Sequence, residues 1–167
     1  MTTPLLWALT GERRAGKTTF CRLLVKLARA ANRDVAGLLS PAIVENGLQT
    51  GILAEDIRTG ESRHLASVSR QSPEDIPYGK WYFDPHTLAW GNRVLTNSPP
   101  CDLLIIDELG PLELTYRMGW QKALEILPQG GYKVGLAVIR PELLEAACGL
   151  FNIYEVIQIG IIHQSSV

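Results

Sequence analysis

Three cysteines among 167 residues, Cys21, Cys101 and Cys148, form no C-x-x-C pair. Thiols so few, so far apart and odd in number exclude a disulfide framework and a cysteine-built zinc site. Each has apolar neighbours in sequence, so all three are expected to be free core thiols of a reducing compartment. His64, His86 and His163 are equally dispersed, which argues against zinc. An excess of charge of one sign is missing as well. Sixteen basic residues face seventeen acidic ones, for a formal net charge of −1. No global field therefore attracts nucleic acid or a membrane surface, and any such partner would have to be reached through a local patch; a protein partner is left open. The N-terminus lacks the basic and apolar regions of a signal peptide, and no apolar run approaches the roughly 18 residues of a membrane span. A soluble, cytoplasmic protein without a membrane partner is expected. Internal repeats, heptads and low-complexity tracts are absent too. So is an N-K-x-D guanine-reading sequence, which disfavours a Ras-type GTPase.

What is present is ordinary globular composition, 46% hydrophobic and 20% charged. The length suits a single domain over residues 1–167 with a well-buried core. Pro4 to Leu9 is continuously apolar, as expected of a strand buried on both faces of a parallel sheet. Phe20, Leu23, Leu24, Leu27, Ala28 and Ala31 recur at helical spacing and predict an amphipathic helix ending near Asn32. Between residues 35 and 66, turn signals at Asn46-Gly47 and Thr59-Gly60 predict an antiparallel β-hairpin excursion. Ser67 to Lys80, polar and containing Pro73 and Pro77, reads as a loop or lid. Asp84-Pro85 is a helix start, with Pro99-Pro100 as the stop. Leu103 to Ile106 read as a second buried strand, followed by a helix from Glu113 to about Leu127. Val134 to Ile139 form a third strand, then come a short helix from Pro141 to about Gly149 and a last strand near Tyr154 to Ile159. Strands alternating with helices indicate an α/β fold with a mostly parallel sheet. Trp7, Trp81, Trp90 and Trp120 lie in mostly apolar surroundings, as core residues do and base-stacking platforms do not.

The chemistry is carried by two matches. GERRAGKTT, Gly11 to Thr19, has the spacing of a phosphate-binding loop, G-x-x-x-x-G-K-[ST], between a strand and a helix. Backbone N–H groups of Gly11, Glu12, Arg13, Arg14, Ala15, Gly16, Lys17, Thr18 and Thr19 are the candidate nucleotide cradle, at the positive end of the helix. Lys17 would reach the β- and γ-phosphates, and the Thr18 hydroxyl would bind Mg²⁺. The second match is LLIIDE, an apolar strand ending in an acid. Asp107 would hold Mg²⁺ and Glu108 would polarise a water for in-line attack. Adjacent strand residues point to opposite faces, so the two acids are expected to do different work. Two readings of Arg140, at the end of KVGLAVIR, stand level. It is a surface arginine, or, if its strand neighbours that of Asp107, a guanidinium in the catalytic crevice.

With both matches in place, the chain resembles the THEP-type, or cancer-related, nucleoside-triphosphatase family. LLIIDELGPLEL is close to that family's V-I-D-E-I-G-P-M-E-L signature. The likeness extends to ENGLQTGILAEDIRTGE, GKWYFDPHTL and LAVIR, and so runs from the first strand to about Ile159. The resemblance implies a RecA-like core and slow, Mg²⁺-dependent hydrolysis of several nucleoside triphosphates, with no single base strongly preferred. Two positions depart from it. Arg14 stands where the family's loop has glycine, and Gln49 where its hairpin has arginine. If position 14 needs a positive φ, Arg14 is strained. If not, the arginine is simply accommodated and its charge can contact the terminal phosphate, which is the expectation favoured by the retained Gly11 and Gly16. If the family's hairpin arginine lends transition-state charge, Gln49 makes this a sluggish enzyme. Two other functions remain open. A nucleotide or small-molecule kinase would need an acceptor pocket and lid cations, of which Ser67 to Lys80 offers only Arg70 and Lys80. A nucleotide-gated binding module would bind triphosphate with little turnover.

Overall fold

A computed structural model describes residues 3–160. The first apolar run forms β1 (Leu5–Thr10), and the loop after it feeds α1 (Lys17–Ala30). Then come β2 (Val35–Leu39), β3 (Ala42–Glu45), β4 (Leu48–Asp56), β5 (Ser62–Ser67), β6 (Ile76–Tyr78) and β7 (Trp81–Phe83). The second half contains α2 (Pro85–Thr96), β8 (Cys101–Leu109), α3 (Pro111–Leu114), α4 (Gln121–Gln129), β9 (Tyr132–Ile139), α5 (Leu144–Leu150) and β10 (Ile153–Gln158).

All ten of these strands join one sheet, in the order β10-β1-β9-β8-β2-β4-β5-β7-β6, with β3 paired to β4. The first five in that order pair in parallel. From β2–β4 onward every pairing is antiparallel. This is the expected α/β architecture, with β9 inserted between the phosphate-loop strand β1 and the acid-bearing strand β8 as in a RecA-like core. The parallel strands read as continuous apolar runs because both their faces are covered. Leu9, Ile105 and Val138 lie on one face with Cys21 and Val25 of α1. Leu6, Ala8, Ile106 and Ile139 lie on the other, with α2, α4 and α5.

Several expectations need correcting. Val35–Leu39 belongs to the parallel core, beside β8, so the antiparallel excursion begins only at Ala42. It also runs further, because Ile76–Tyr78 and Trp81–Phe83 extend it as β6 and β7, while residues 68–75 and 79–80 form the loop expected there. The hairpin turn is where expected, with Asn46 and Gly47 at φ of 51° and 77°, the positive values a tight two-residue turn requires. On α1 the buried residues are Cys21 and Val25, whereas Leu23 and Leu27 are 54% and 58% exposed. Leu23 and Leu27 keep helical spacing but fall on the outer face. Cys21 is buried, and burial pushes its thiol well above its usual range. Cys101 is half-buried and Cys148 exposed, so only one of the three is a core thiol. Trp90 and Trp120 are buried, and Trp7 and Trp81 partly so.

The helix expected from Glu113 to Leu127 is broken into α3 and α4. Arg117 and Gly119 take φ of 52° and 70° between them, values that end a right-handed helix. The break is organised around Glu113, which is 5% exposed. Its carboxylate accepts hydrogen bonds from Gly110 N at 2.9 Å and Trp120 N at 2.8 Å. A Cβ on Gly119 would lie 2.0 Å from Glu113 Oε1, so glycine is required there. From α2, Asn92 Nδ2 donates to Gly119 O at 2.8 Å while its Oδ1 accepts from Lys122 N at 2.9 Å, which fixes the start of α4. Among the described residues no helix is long and apolar enough to cross a membrane.

Candidate active site

The phosphate loop is set by close backbone approach. A Cβ on Gly11 would sit 2.4 Å from the Ile159 carbonyl oxygen. Only glycine lets the chain after β1 pass that close to the end of β10, where Ile159 N donates to Thr10 O at 2.8 Å. Gly16 precedes α1 with φ 94° and no side chain caps the helix. The amides of the first turn therefore face the loop without a side-chain acceptor, the condition for anion binding.

Lys17 is 9% exposed and its ammonium lies inside the loop. Nζ donates to Gly11 O at 2.6 Å and to Glu12 O at 2.8 Å. An ammonium has three protons to give, so one direction remains for a phosphate oxygen. Glu12, Arg13 and Arg14 are exposed, Ala15 is half-buried, and Thr19 is exposed one turn into α1. Arg14 has a φ of 61°. This overturns the expectation of easy accommodation, because the arginine occupies the left-handed region that the family's glycine enters freely.

From α1 the Thr18 hydroxyl reaches across the end of β9 and donates to Asp107 Oδ2 at 2.9 Å. Asp107 is 2% exposed. Ser40, just past β2, donates its N–H to the same oxygen at 3.2 Å and its hydroxyl to the Asp107 carbonyl. Desolvation by burial outweighs these hydrogen bonds and pushes the Asp107 carboxyl up to about 6. A buried carboxylate so disfavoured is one that a cation would stabilise. Glu108 takes the other direction. Its Oε1 accepts from Arg140 Nε at 2.7 Å, each side chain being 29% exposed. β9 does neighbour β8, and Arg140 is a partly buried side chain in contact with Glu108 rather than an isolated surface arginine. Desolvation works against the Arg140 charge, but the Glu108 carboxylate outweighs it and holds the guanidinium above its usual pKa.

Lys17, Thr18, Asp107, Glu108 and Arg140 thus gather at the carboxyl ends of β1, β8 and β9. Gln49 is not among them. It lies on β4 opposite Val44, and its amide turns to Gly51 O at 3.5 Å. Two further residues escaped sequence reasoning. Ser40 supports Asp107, and its one signal was a polar residue ending an apolar strand. Glu113 sits buried beside the site and lay hidden inside an apparently continuous helix.

The donor set can be tested against Mg²⁺ on its chemistry. A buried carboxylate oxygen and a hydroxyl, 2.9 Å apart, are hard oxygen donors. Mg²⁺ is commonly held by one or two such protein groups, the rest of its shell being water and substrate phosphate. Among the described residues no cluster of three His, Cys, Asp or Glu forms a metal cage. The residues present fit Mg²⁺ of the substrate-bridging kind.

A strand, a phosphate loop and a helix beside an acid-ended parallel strand define the class of phosphate-loop nucleotide-binding proteins. A family model described as NTPase matches residues 7–157, and the chain belongs to that family. Nucleoside-triphosphatase THEP1 of Ignicoccus hospitalis is 36% identical over 107 residues, which cover 64% of this chain and 60% of that protein. The THEP1 of Korarchaeum cryptofilum is 30% identical over 141 residues, covering 82% of this chain and 71% of the relative. The fold is similar to the crystal structure of THEP1 from the hyperthermophile Aquifex aeolicus, with a TM-score of 0.66 at 17% identity over 96% of this chain and 91% of that one. It is also similar to the solution structure of a human cancer-related nucleoside triphosphatase, with a TM-score of 0.65 at 18% identity over 97% and 90% of the two chains. The chain spans 60% of the length of the Ignicoccus relative.

Proposed function

We propose that this protein is an enzyme that hydrolyses nucleoside 5′-triphosphates, ATP and GTP among them, to diphosphate and phosphate. The observation that carries the reading is the continuous chain from Lys17 through Thr18 to Asp107, with Glu108 beside it on the same strand. The loop amides and Lys17 bind the β- and γ-phosphates. Thr18 and Asp107 would hold Mg²⁺, which would supply positive charge against the phosphate oxygens. Glu108 orients the attacking water and takes its proton. Arg140 turns from Glu108 towards the γ-phosphate and stabilises its charge in the transition state.

Slow turnover is part of the same reading, and the contact of Glu108 with Arg140 at 2.7 Å supports it, because the pair must open before the base can work. Broad base specificity is part of the same reading, supported by a set of groups that address phosphates, which every nucleoside triphosphate carries. Free thiols suit a reducing, cytoplasmic setting. The test is release of free phosphate from ATP, GTP, CTP and UTP, with Mg²⁺ and with a chelator. Release from all four that stops with chelation supports the reading. Phosphate release from none of them rejects it.

A further inference from the structure

Past the Glu108–Arg140 pair lies an aromatic feature that hydrolysis does not use. Tyr78, at the end of β6, meets Tyr116, in the turn after α3, edge to face with ring centroids 5.4 Å apart and planes at 63°. This contact joins the end strand of the sheet to the turn after α3. Tyr78 is half-buried and Tyr116 is 57% exposed, so one ring is anchored and the other open to solvent.

The pair sits beside the catalytic groups. A Cβ on Gly110 would lie 3.7 Å from Glu108 Oε1 and 4.0 Å from Arg140 Nε, so the chain leaving β8 touches the ion pair. One turn later Tyr116 N donates to Pro111 O at 3.0 Å. Tyr78 is near enough to Arg140 to form part of the surroundings of the guanidinium. In-line transfer needs the nucleophile to arrive opposite the leaving diphosphate. The loop holds that diphosphate, so the nucleophile enters past Glu108 and Arg140, the side on which the tyrosines stand.

We propose that Tyr78 and Tyr116 form an acceptor subsite that stacks the base of a nucleoside, whose hydroxyl then replaces water as nucleophile. The proposal rests on the triphosphatase reading and extends it from hydrolysis to phosphoryl transfer. Every nucleobase presents a π-face, and stacking on an aromatic side chain is worth roughly a factor of 5 to 150 in affinity. In the transfer step the acceptor O–H gives its proton to the Glu108 carboxylate as the new oxygen–γ-phosphorus bond forms. The bond from γ-phosphorus to the bridging oxygen breaks, and the nucleoside diphosphate leaves with that electron pair. The acceptor leaves as a nucleoside monophosphate.

The experiment incubates the full chain with Mg²⁺ and γ-labelled ATP, alone and with millimolar adenosine or uridine. Label is counted separately in free phosphate and in nucleoside monophosphate. The expected result is label on a nucleoside in wild type, a loss of at least about fivefold in Tyr116→Ala, and recovery in Tyr116→Phe, which keeps the ring. Free phosphate formed without a nucleoside reports on hydrolysis independently. Intact hydrolysis with no label on either nucleoside overturns the subsite, and so does equal transfer by wild type and Tyr116→Ala.

Discussion

Replacing Arg14 by glycine is the sharpest perturbation that the phosphate loop offers. Arg14 is exposed and held at φ 61°. A residue with a Cβ pays about 1–2 kcal/mol in the left-handed region. Glycine pays nothing there, but its freer unfolded chain costs about 0.5–1 kcal/mol. The difference leaves Arg14→Gly more stable by up to about 1.5 kcal/mol. For a chain of this size that raises the melting temperature by up to about 6 °C. The assay is thermal unfolding of wild type and variant without nucleotide, followed by triphosphate affinity and single-turnover hydrolysis of both. A melting temperature that falls in the variant would refute the strain. Unchanged affinity with slower turnover would instead place the Arg14 guanidinium on the γ-phosphate.

Other outcomes concern the turn between α3 and α4. Gly119→Ala forces a Cβ to 2.0 Å from Glu113 Oε1 at φ 70°, adding left-handed strain and breaking the carboxylate's bond to Trp120 N. Stability should fall by about 3 kcal/mol, measured as a urea midpoint shift. Burial raises the Glu113 carboxyl from 4.5 to about 7. The folded protein therefore keeps a proton there that the unfolded chain has lost, and stability falls as pH rises from 4.5 through 7. Glu113→Gln stays neutral and should lack that part of the slope, while sitting about 1–3 kcal/mol lower because its NH₂ opposes a backbone donor. Denaturant titrations of both proteins at pH 5 and pH 8 check this, and equal slopes would contradict it. Asp107, raised to about 6 by burial, adds a slope of the same sign in both.

What was legible in the sequence was local chemistry. The phosphate loop, the acid pair after LLII, the Asn46-Gly47 turn and the Asp84-Pro85 helix start each depend on residues a few positions apart. Asp84 does cap α2, accepting from His86 N at 3.0 Å and Thr87 N at 3.2 Å. The features missed are set by contacts between distant segments. β7 exists because β5 offers it an edge, and β6 because β7 does, which polar composition and two prolines do not reveal. The α3–α4 break depends on a buried carboxylate finding two amides, one seven residues ahead. Leu23 and Leu27 satisfy helical periodicity, but which face of α1 meets the sheet is decided by the position of the loop that precedes it. At the site, Lys17, Thr18 and Asp107 were readable as a set because the motif specifies their partners. The Glu108–Arg140 pair needed the β8–β9 adjacency, and Ser40 needed the β2–β8 adjacency.

Glu108 as the water-orienting base is the centre of the account, and Glu108→Gln removes the base while keeping its size. The measurement is Mg²⁺–triphosphate affinity beside single-turnover hydrolysis for wild type and this variant. The account predicts affinities within about threefold of each other and hydrolysis at least about 10²-fold slower in the variant, the scale of a lost general base. Tight binding by wild type with hydrolysis no faster than that of Glu108→Gln would contradict it, and a nucleotide-gated binding module would take the enzyme's place.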